Sequence, residues 1–436
     1  MDSVDEVLPL VLDRVGSIWV PIHPLQAVGW TRGILAGRMR RVDRRRRPHP
    51  LDLLALGLLA VGLLCWATGA LPSADATAIV DRIRPILAFL FSVVILAELT
   101  SQAQTFDVLA TRLAILARGR FVLLFLLCVL LAVLVTVGLN LDTTAVLLTP
   151  IMLALADRAG VPPLPLAVTT AFLANTASLL LPVGNLTNLL AANRVALAPA
   201  AFAARMAAPE AVSVAATMAV LWVFFWRRGQ RGGADRYAPP EPFRPDDQIL
   251  CVIAGVACAL FVIAIVAGAP LELASAVAAG VTVLAFLARR RSELRWSLLP
   301  WRLLANVLGM FLIIQTLSVH GLDTLVQHLI GGSNALVGQL RAAGTGLGLS
   351  NLVNNLPAYI AGEAAVPAAN HTQLLALLIG TNAGPLITPW GSLAMLLWFE
   401  RCSAAGLAVP KRRIAVAGAV LAVLAVGGAT LALAAG

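Results

Sequence analysis

The apolar positions of this 436-residue chain fall into long runs and show no alternation of the kind that barrel strands need. A helix needs about 20 apolar residues to cross a bilayer. The pattern predicts spanning helices at 51–71, 83–101, 120–139, 208–226, 247–268, 271–288, 300–318 and 414–434. The expected fold class is therefore an all-α polytopic membrane protein.

Two further stretches, 140–200 and 335–400, are apolar but interrupted by Asn, Thr, Gly and Pro. Interrupted segments free backbone groups, and within a membrane these are tolerated only against protein or a cavity. Paired interruptions of this kind are typical of transporters whose site lies between two repeats. We predict broken or re-entrant helices that meet near the bilayer midplane.

Three blocks recur in the same order in the two halves of the chain. Residues 106–109 match 322–325 at an offset of 216, 140–144 match 351–355 at 211, and 175–186 match 382–393 at 207. The polar stretch that follows Trp226 is rich in Pro, Gly and charge, which indicates a linker. The predicted organisation is a basic cytoplasmic N-terminal extension (1–50), transmembrane repeat 1 (51–226), a cytoplasmic linker (227–246) and transmembrane repeat 2 (247–436).

The arginines predict that the two repeats have opposite orientations. A basic block at 38–47 precedes the first span, which favours a cytoplasmic N-terminus. Arginines follow the span 83–101 but precede its equivalent 300–318, and residues 320–334 contain no Lys or Arg. Equivalent helices should then run in opposite directions, which is an inverted topology.

The amino-acid composition is that of a membrane protein, and this explains the net positive charge. Hydrophobic residues make up 59% of the chain and charged residues 12%, whereas soluble domains are roughly a quarter charged. The net charge of 32 − 22 = +10 lies mainly in arginines between apolar segments. It indicates orientation in a lipid bilayer and no binding of nucleic acid. The five cysteines and five histidines show no metal-ligand spacing, so neither a metal nor a cofactor is expected.

The tips of the interrupted segments carry short polar side chains, which can donate and accept hydrogen bonds without a fixed charge. Such a set suits a neutral hydroxylated solute, or cations held by carbonyl and amide oxygens. The predicted substrate-binding residues are Asn140, Thr143, Thr144, Asn175, Thr176, Ser178, Asn185, Asn351, Asn354, Asn355, Thr381, Asn382, Thr388 and Ser392.

Two carboxylates are candidates for proton coupling. Asp142 lies within an apolar run, where a charge is costly and is usually retained for a transport pathway. Its alternative role is to cap the free N–H groups of a broken helix. Glu98 lies near the end of its span, where it can also simply reach the membrane interface.

Four stretches resemble the signature segments of bacterial arsenite efflux permeases, within the larger ion-transporter superfamily. They are NLDTTAVLLTPI (140–151), NTASLLLPVGNLTNLL (175–190), SNLVNNLPAYIAG (350–362) and GTNAGPLITPWGSLAMLLW (380–398). The resemblance implies export of arsenite or antimonite from a bacterial cytoplasm, by exchange with protons across the cell (inner) membrane. It also implies two partners to consider, a second copy in a homodimer and a soluble ATPase subunit. The chain has no phosphate-binding G-x-x-x-x-G-K-[ST] loop of its own.

The same resemblance leaves other functions open. An acidic residue often stands in these permeases where this chain has Asn382, so proton coupling here must rest on Asp142 or elsewhere. The superfamily also contains sodium/proton antiporters and dicarboxylate or organic-anion symporters, which are the alternative prediction. An intramembrane enzyme would need a catalytic constellation that these residues do not form. A passive channel fits poorly with polarity confined to two repeat-related breaks.

Overall fold

The apolar runs form helices at nearly all of the predicted positions. In the computed structural model, which describes residues 50–230, 233 and 235–436, the helices of the first half are α1 (Pro50–Ala67), α2 (Ser73–Gln102), α3 (Thr105–Leu116), α4 (Phe121–Leu139), α5 (Leu141–Thr143), α6 (Thr149–Arg158), α7 (Pro163–Thr176), α8 (Leu186–Arg194) and α9 (Pro199–Leu221). A π-helical turn, Thr144–Leu148, joins α5 to α6, and another, Trp222–Trp226, extends α9. The predicted N-terminal extension lies outside the described residues, apart from its last residue.

The second half begins with one additional helix and then follows the same order, with a single helix in place of α5 and α6. Its helices are α10 (Gln248–Val266), α11 (Leu271–Arg289), α12 (Trp301–Val319), α13 (Leu322–Ile330), α14 (Leu336–Val353), α15 (Asn355–Ala365), α16 (His371–Ala383), α17 (Leu393–Ala404) and α18 (Lys411–Ala435). No strand forms in the described part of the chain. Seven of the described helices are long and apolar enough to cross a membrane.

Two spanning helices begin earlier than the hydropathy pattern predicts. Helix α2 starts at Ser73 and contains Pro85, and α9 starts at Pro199 and contains Pro209. Proline removes one helical N–H donor, but neighbouring helices in a membrane protein can satisfy the carbonyl that this frees. Both helices therefore continue through a proline that interrupts the apolar pattern.

The two halves are inverted repeats, and the ends of their helices align residue by residue. A residue with positive φ precedes both α3 (Gln104, φ 61°) and α13 (Gly321, φ 101°). Asn140 (φ 97°) ends α4 and Asn354 (φ 103°) ends α14. This corrects the predicted offset of 211, because the structure aligns Asn140 with Asn354 and not with Asn351.

The first re-entrant hairpin consists of α4, α5 and α6. Its returning end lies against α3, where Arg158 pairs with Asp107 at 3.7 Å and donates to Thr111 Oγ1 at 3.2 Å. Because α3 directly precedes α4, the hairpin enters and leaves the membrane on the same side. The Arg158 guanidinium also stacks over the Phe243 ring of the linker, 4.5 Å from its centroid.

The second hairpin consists of α14 and α15 and has the same design. Asn370, which follows α15, donates to the carbonyl of Gly332 at 3.0 Å, just before α14 begins. Gln373 donates to the Gly331 carbonyl at 2.7 Å. The entry and exit of this hairpin are therefore also on one side. The inverted repeat places that side opposite the linker.

The repeats exchange their first helices. Helix α1 packs against α12, and α11 packs against α2. Gly309 permits the first of these contacts, because a Cβ at that position would lie 2.5 Å from the Leu58 carbonyl carbon. The ion pair between Arg302 and Asp52 joins the same two helices. This exchange fixes α2 and α12 side by side along the region where the hairpin tips meet.

Candidate functional site

Asn140 and Asn354 create the breaks at the tips of the two hairpins. The Oδ1 atom of Asn140 accepts a hydrogen bond from Thr143 N at 2.9 Å, and that of Asn354 accepts from Leu356 N at 3.3 Å. Each side chain thus satisfies one N–H group of the helix that it starts. The other N–H groups of these helix starts carry partial positive charge inside the protein.

Two crossing segments link the helices of each repeat, 177–185 between α7 and α8 and 384–392 between α16 and α17. Beside them, α8 and α16 bring the repeats into direct polar contact. Thr187 Oγ1 donates to Asn382 Oδ1 at 2.6 Å, and Asn382 Nδ2 donates to Asn188 Oδ1 at 2.6 Å. All three side chains are fully buried. Asn188 also donates to the Ser178 and Leu181 carbonyls, so it connects its own unwound segment to the opposite repeat.

A cavity of about 40 Å³, the inter-repeat cavity, lies where the hairpin tips meet the crossing segments. Its polar lining consists of amides and one carboxylate, namely Asn140, Asp142, Asn185, Asn306, Asn354 and Asn355. Asp142 Oδ1 and Asn185 Nδ2 are buried without a hydrogen-bond partner in the protein. Buried polar groups are normally paired. These two atoms therefore remain available to a small polar solute.

A larger cavity of about 170 Å³, the carboxylate cavity, lies next to it and shares Asp142, Asn306, Leu303 and Leu393 in its lining. Glu98 also lines it, so the structure brings the two predicted proton-coupling carboxylates to one cavity. Arg302 is at its edge, although its guanidinium pairs with Asp52. Asp142 has no ion pair of its own among the described residues.

Asn351 and Thr388, both predicted to bind substrate, form hydrogen bonds that hold the second crossing segment. Asn351 Nδ2 donates to the carbonyl of Gly384 at 2.8 Å, and its Oδ1 accepts from Ile387 N at 3.0 Å. Thr388 Oγ1 donates to the Asn351 carbonyl at 2.9 Å. Neither residue lines the two cavities, and their role in binding stays a prediction.

The other predicted residues divide between the cavity walls and their support. Thr143 lines the carboxylate cavity, whereas the remaining residues outside both cavities hydrogen-bond mainly to nearby backbone. This second set comprises Thr144, Asn175, Thr176, Ser178, Thr381 and Ser392, together with Asn382 at the contact between repeats. Asn175 Oδ1 is nevertheless buried and unpaired.

Asn306 lines both cavities and is not among the residues predicted from the sequence. It is one of two amide side chains in the largely apolar helix α12, and that polarity was the signal available in the sequence. Thr187 and Asn188 were not predicted either, although both lie within the interrupted stretch 140–200. Among the described residues, no group of three His, Cys, Asp or Glu side chains could hold a metal ion.

An ion pair connects the repeats on the side opposite the linker. Arg82 of α2 donates to both carboxylate oxygens of Glu363 on α15, at 2.7 and 2.8 Å. The Glu363 side chain is 4% exposed and that of Arg82 is 42% exposed. Arg194, at the end of α8, adds a favourable electrostatic interaction with Glu363. A third cavity of about 310 Å³ lies nearby, and Phe89 lines both it and the inter-repeat cavity.

Inverted repeats, paired re-entrant hairpins and a polar cavity between unwound helices define a multi-pass membrane transporter. The family of citrate transporters (CitMHS) matches residues 44–380, well over half of the chain. This chain belongs to that family.

Relatives with known names are similar over most of their length. The arsenical pump membrane protein of Yersinia enterocolitica is 29% identical over 361 residues, which cover 77% of this chain and 83% of that protein. The arsenical pump membrane protein of Escherichia coli K12 is 28% identical over 365 residues, 78% of this chain and 83% of that protein. A putative arsenical pump membrane protein of Bacillus subtilis is 24% identical over 384 residues, 78% of this chain and 84% of that protein.

The fold also resembles that of a solved transporter. The crystal structure of the YdaH transporter from Alcanivorax borkumensis, described as having an unusual topology, superposes with a TM-score of 0.53. The match covers 89% of this chain and 98% of the other, at 14% sequence identity. At that identity the similarity concerns the fold alone. It confirms the predicted all-α architecture with two inverted repeats.

Proposed function

We propose that this protein exports arsenite, and antimonite with it, from the cytoplasm in exchange for protons. Two observations support the substrate: the resemblance of its four tip segments to arsenite permeases, and its similarity to proteins named as arsenical pumps. The proposed location is a bacterial cell membrane with the N-terminus and linker in the cytoplasm. The arginine distribution supports that orientation.

The lining of the inter-repeat cavity is the observation on which the proposal depends most. Near neutral pH, arsenite is largely the uncharged trihydroxide, whose hydroxyl groups both donate and accept hydrogen bonds. Amides provide matching acceptors and donors, and Asn185 Nδ2 has no other partner. None of the described residues that line this cavity is cationic. The cavity therefore suits a neutral solute better than a multiply charged anion.

Asp142 is the proposed site of proton exchange. It lines both cavities and forms no ion pair with any described residue, so its ionised form is costly at this depth. In the proposed cycle, Asp142 binds a proton when no solute is present and releases it when the solute occupies the amides nearby. Solute and proton would then cross in opposite directions. Glu98, in the same cavity, is proposed to pass the proton to and from the aqueous side.

The family description and the superfamily indicate a second class of substrate, which is the alternative proposal. A dicarboxylate or citrate would need positive charge in the cavity, which here comes only from helix N-termini and from Arg302 at the edge. A sodium/proton antiporter would need a closed cage of carbonyl and amide oxygens around the ion. Asp142 could serve that function as well. The test must therefore separate these substrates.

The decisive experiment is arsenite accumulation in everted membrane vesicles, with and without an imposed proton gradient. Gradient-driven accumulation that is lost in Asp142→Asn, with normal protein levels, is the expected result. Sodium-dependent transport without any arsenite dependence would overturn the proposal and favour the second class. Collapse of the gradient with a protonophore also distinguishes a coupled carrier from a passive channel.

We also propose that the protein works with the partners that the resemblance implies. These are a second copy of the chain and, under some conditions, a soluble ATPase subunit that adds energy to export. The mass of the purified protein in detergent, and co-purification with a candidate ATPase, test the two associations separately.

A further inference from the structure

Glu210 is a buried carboxylate that the proposed proton pathway does not use. It lies on α9, is 5% exposed and faces the first crossing segment. Its Oε2 atom accepts a hydrogen bond from Leu179 N at 3.0 Å, whereas Oε1 is buried without a partner. A carboxylate with one oxygen unpaired at this depth needs an explanation beyond packing.

Among the described residues, no cationic side chain forms an ion pair with this carboxylate. The elements packed against α9 are α7, α10, α18 and the turn at 182–184, and of these only α18 contains charged residues, at its first three positions. One of those, Arg413, donates to the carbonyl of Phe224. Phe224 is 14 residues beyond Glu210, about 21 Å along a helix. On α9 itself, Arg205 is five residues away and only half-buried.

The same face of α9 holds the end of α7. Ser213 Oγ donates to the Thr176 carbonyl at 2.8 Å, and Thr217 Oγ1 donates to Thr176 Oγ1 at 2.7 Å. Positions 210, 213 and 217 are three and four residues apart, so they share one side of the helix. Together the three side chains form hydrogen bonds with the end of α7 and the start of the crossing segment 177–185.

Leu179 is one residue from the hydrogen bonds that join the repeats. The carbonyl of Ser178 accepts from Asn188, and Asn188 Oδ1 accepts from Asn382 of the other repeat at 2.6 Å. A change in the hydrogen bond from Leu179 N to Glu210 can therefore reach, through one peptide unit and Asn188, the contact between α8 and α16.

Protonation of Glu210 changes the strength of its hydrogen bond with Leu179 N. A hydrogen bond to an ionised carboxylate is about twice as strong as one to a neutral acceptor. The ionised form, however, has no cation to offset its loss of hydration. The ionised carboxylate therefore forms the stronger hydrogen bond to Leu179 N, whereas the protonated carboxyl group costs less free energy to bury.

We propose that Glu210 is a second proton-binding carboxyl group of the transporter, and that it acts as a positioning residue for the crossing segment 177–185. Uptake of a proton loosens the hydrogen bond to Leu179 N and frees the segment to shift against Asn382. Loss of the proton tightens it. The inference rests on the proposed proton-coupled function, since it assigns a second proton to the same transport cycle.

The test compares Glu210→Gln with Ser213→Ala. Glutamine keeps an acceptor for Leu179 N but cannot bind or release a proton. We expect Glu210→Gln to retain solute exchange while its rate becomes at least about threefold less sensitive to pH than that of the wild type. Ser213→Ala removes a neighbouring hydrogen bond from the same face, so it should lower the rate without altering the pH profile.

Infrared difference spectra between acidic and alkaline pH provide a readout that does not depend on substrate. The carbonyl-stretch band of a protonated carboxyl group should be reduced in Glu210→Gln, and a remaining part should disappear in the double variant with Asp142→Asn. An unchanged band together with a wild-type pH profile would overturn the inference and leave Glu210 as a cap. If arsenite exchange fails in the wild type but the band is still reduced, the proposed substrate is wrong and the proton site stands.

Discussion

Asn140 and Asn354 have the same unusual backbone conformation, with φ and ψ of 97° and 166° in the first and 103° and 153° in the second. Side chains other than glycine rarely occupy this region, which costs about 1–3 kcal/mol per residue. Each asparagine ends one helix and caps the next. The inverted repeat has therefore placed the same strained turn at both hairpin tips, next to the proposed binding cavity.

The strain and the cap can be separated by substitution. Glycine at either position relieves the strain but removes the cap, whereas alanine removes the cap and keeps the strain. We expect Asn140→Ala and Asn354→Ala to be less stable than the corresponding glycine variants by about 1 kcal/mol or more. Thermal unfolding of the purified protein in detergent measures the difference.

Asn185 provides a matched control for this comparison. It also caps a helix, accepting from Thr187 N, but its φ of −153° is extended and unstrained. Glycine is a somewhat better N-cap than alanine, so a small difference is expected there as well. An equal difference at 140, 185 and 354 would show that capping alone matters and that no strain is stored at the tips.

The sequence was sufficient to predict most of the long apolar helices and the repeats, because hydrophobic length and polar interruptions are local properties of the chain. It also predicted spanning helices at 51–71 and 120–139, whereas α1 is one of the shorter apolar helices and α4 is an arm of the first hairpin. It was not sufficient for the register of the hairpin tips. Residues 351, 354 and 355 are all asparagine, and only the backbone angles show which of them ends its helix. Asn306 was missed for a different reason, since its place at both cavities depends on how α12 packs against α2 and α15.

The two carboxylates of the carboxylate cavity should differ in importance. Asp142 lies against the amides, whereas Glu98 lines only the larger cavity and accepts a 3.3 Å hydrogen bond from Gln102. We expect Asp142→Asn to remove the larger part of the pH dependence of exchange, and Glu98→Gln to lower the rate by only about two- to fivefold while the dependence is kept. Exchange rates measured across a pH series test both. A flat profile in Glu98→Gln would reverse the two assignments.

Asn306 should contribute directly to solute binding. A lost hydrogen bond to a small ligand costs about 0.5–1.5 kcal/mol, which corresponds to roughly a two- to tenfold weaker affinity. Asn306→Ala should therefore raise the KM of transport with little effect on stability. Gln315→Ala, on the same helix but lining none of the three cavities, is the control. Equal effects of the two substitutions would point to general perturbation of α12.

Asp247, which directly follows the linker, should make a pH-dependent contribution to the stability of the folded protein. A hydrogen bond from the Arg289 side chain, at 2.7 Å, and others from Leu250 N and Ile249 N lower the pKa of this carboxyl below its ordinary value of 3.8. A lowered folded-state pKa means that the stabilisation is complete above pH 4 and is lost as the pH falls through the folded value. Asp247→Ala should lower the melting temperature at pH 7, and the difference should shrink below pH 4. A constant difference across that range would show that the charge is not responsible.

The ion pair between Arg82 and Glu363 should respond asymmetrically to the removal of its members. Glu363 is almost fully buried, so Arg82→Gln leaves a carboxylate without its partner in a poorly hydrated place, whereas Glu363→Gln leaves an arginine that already reaches solvent. Arg82→Gln should therefore lower the melting temperature more, and the double variant should resemble Glu363→Gln. Arg84→Gln, on the exposed face of the same helix, is the control for loss of positive charge. If Glu363→Gln were the more damaging change, the carboxylate would have to be holding something besides Arg82, and the nearby Arg194 would be the first residue to test.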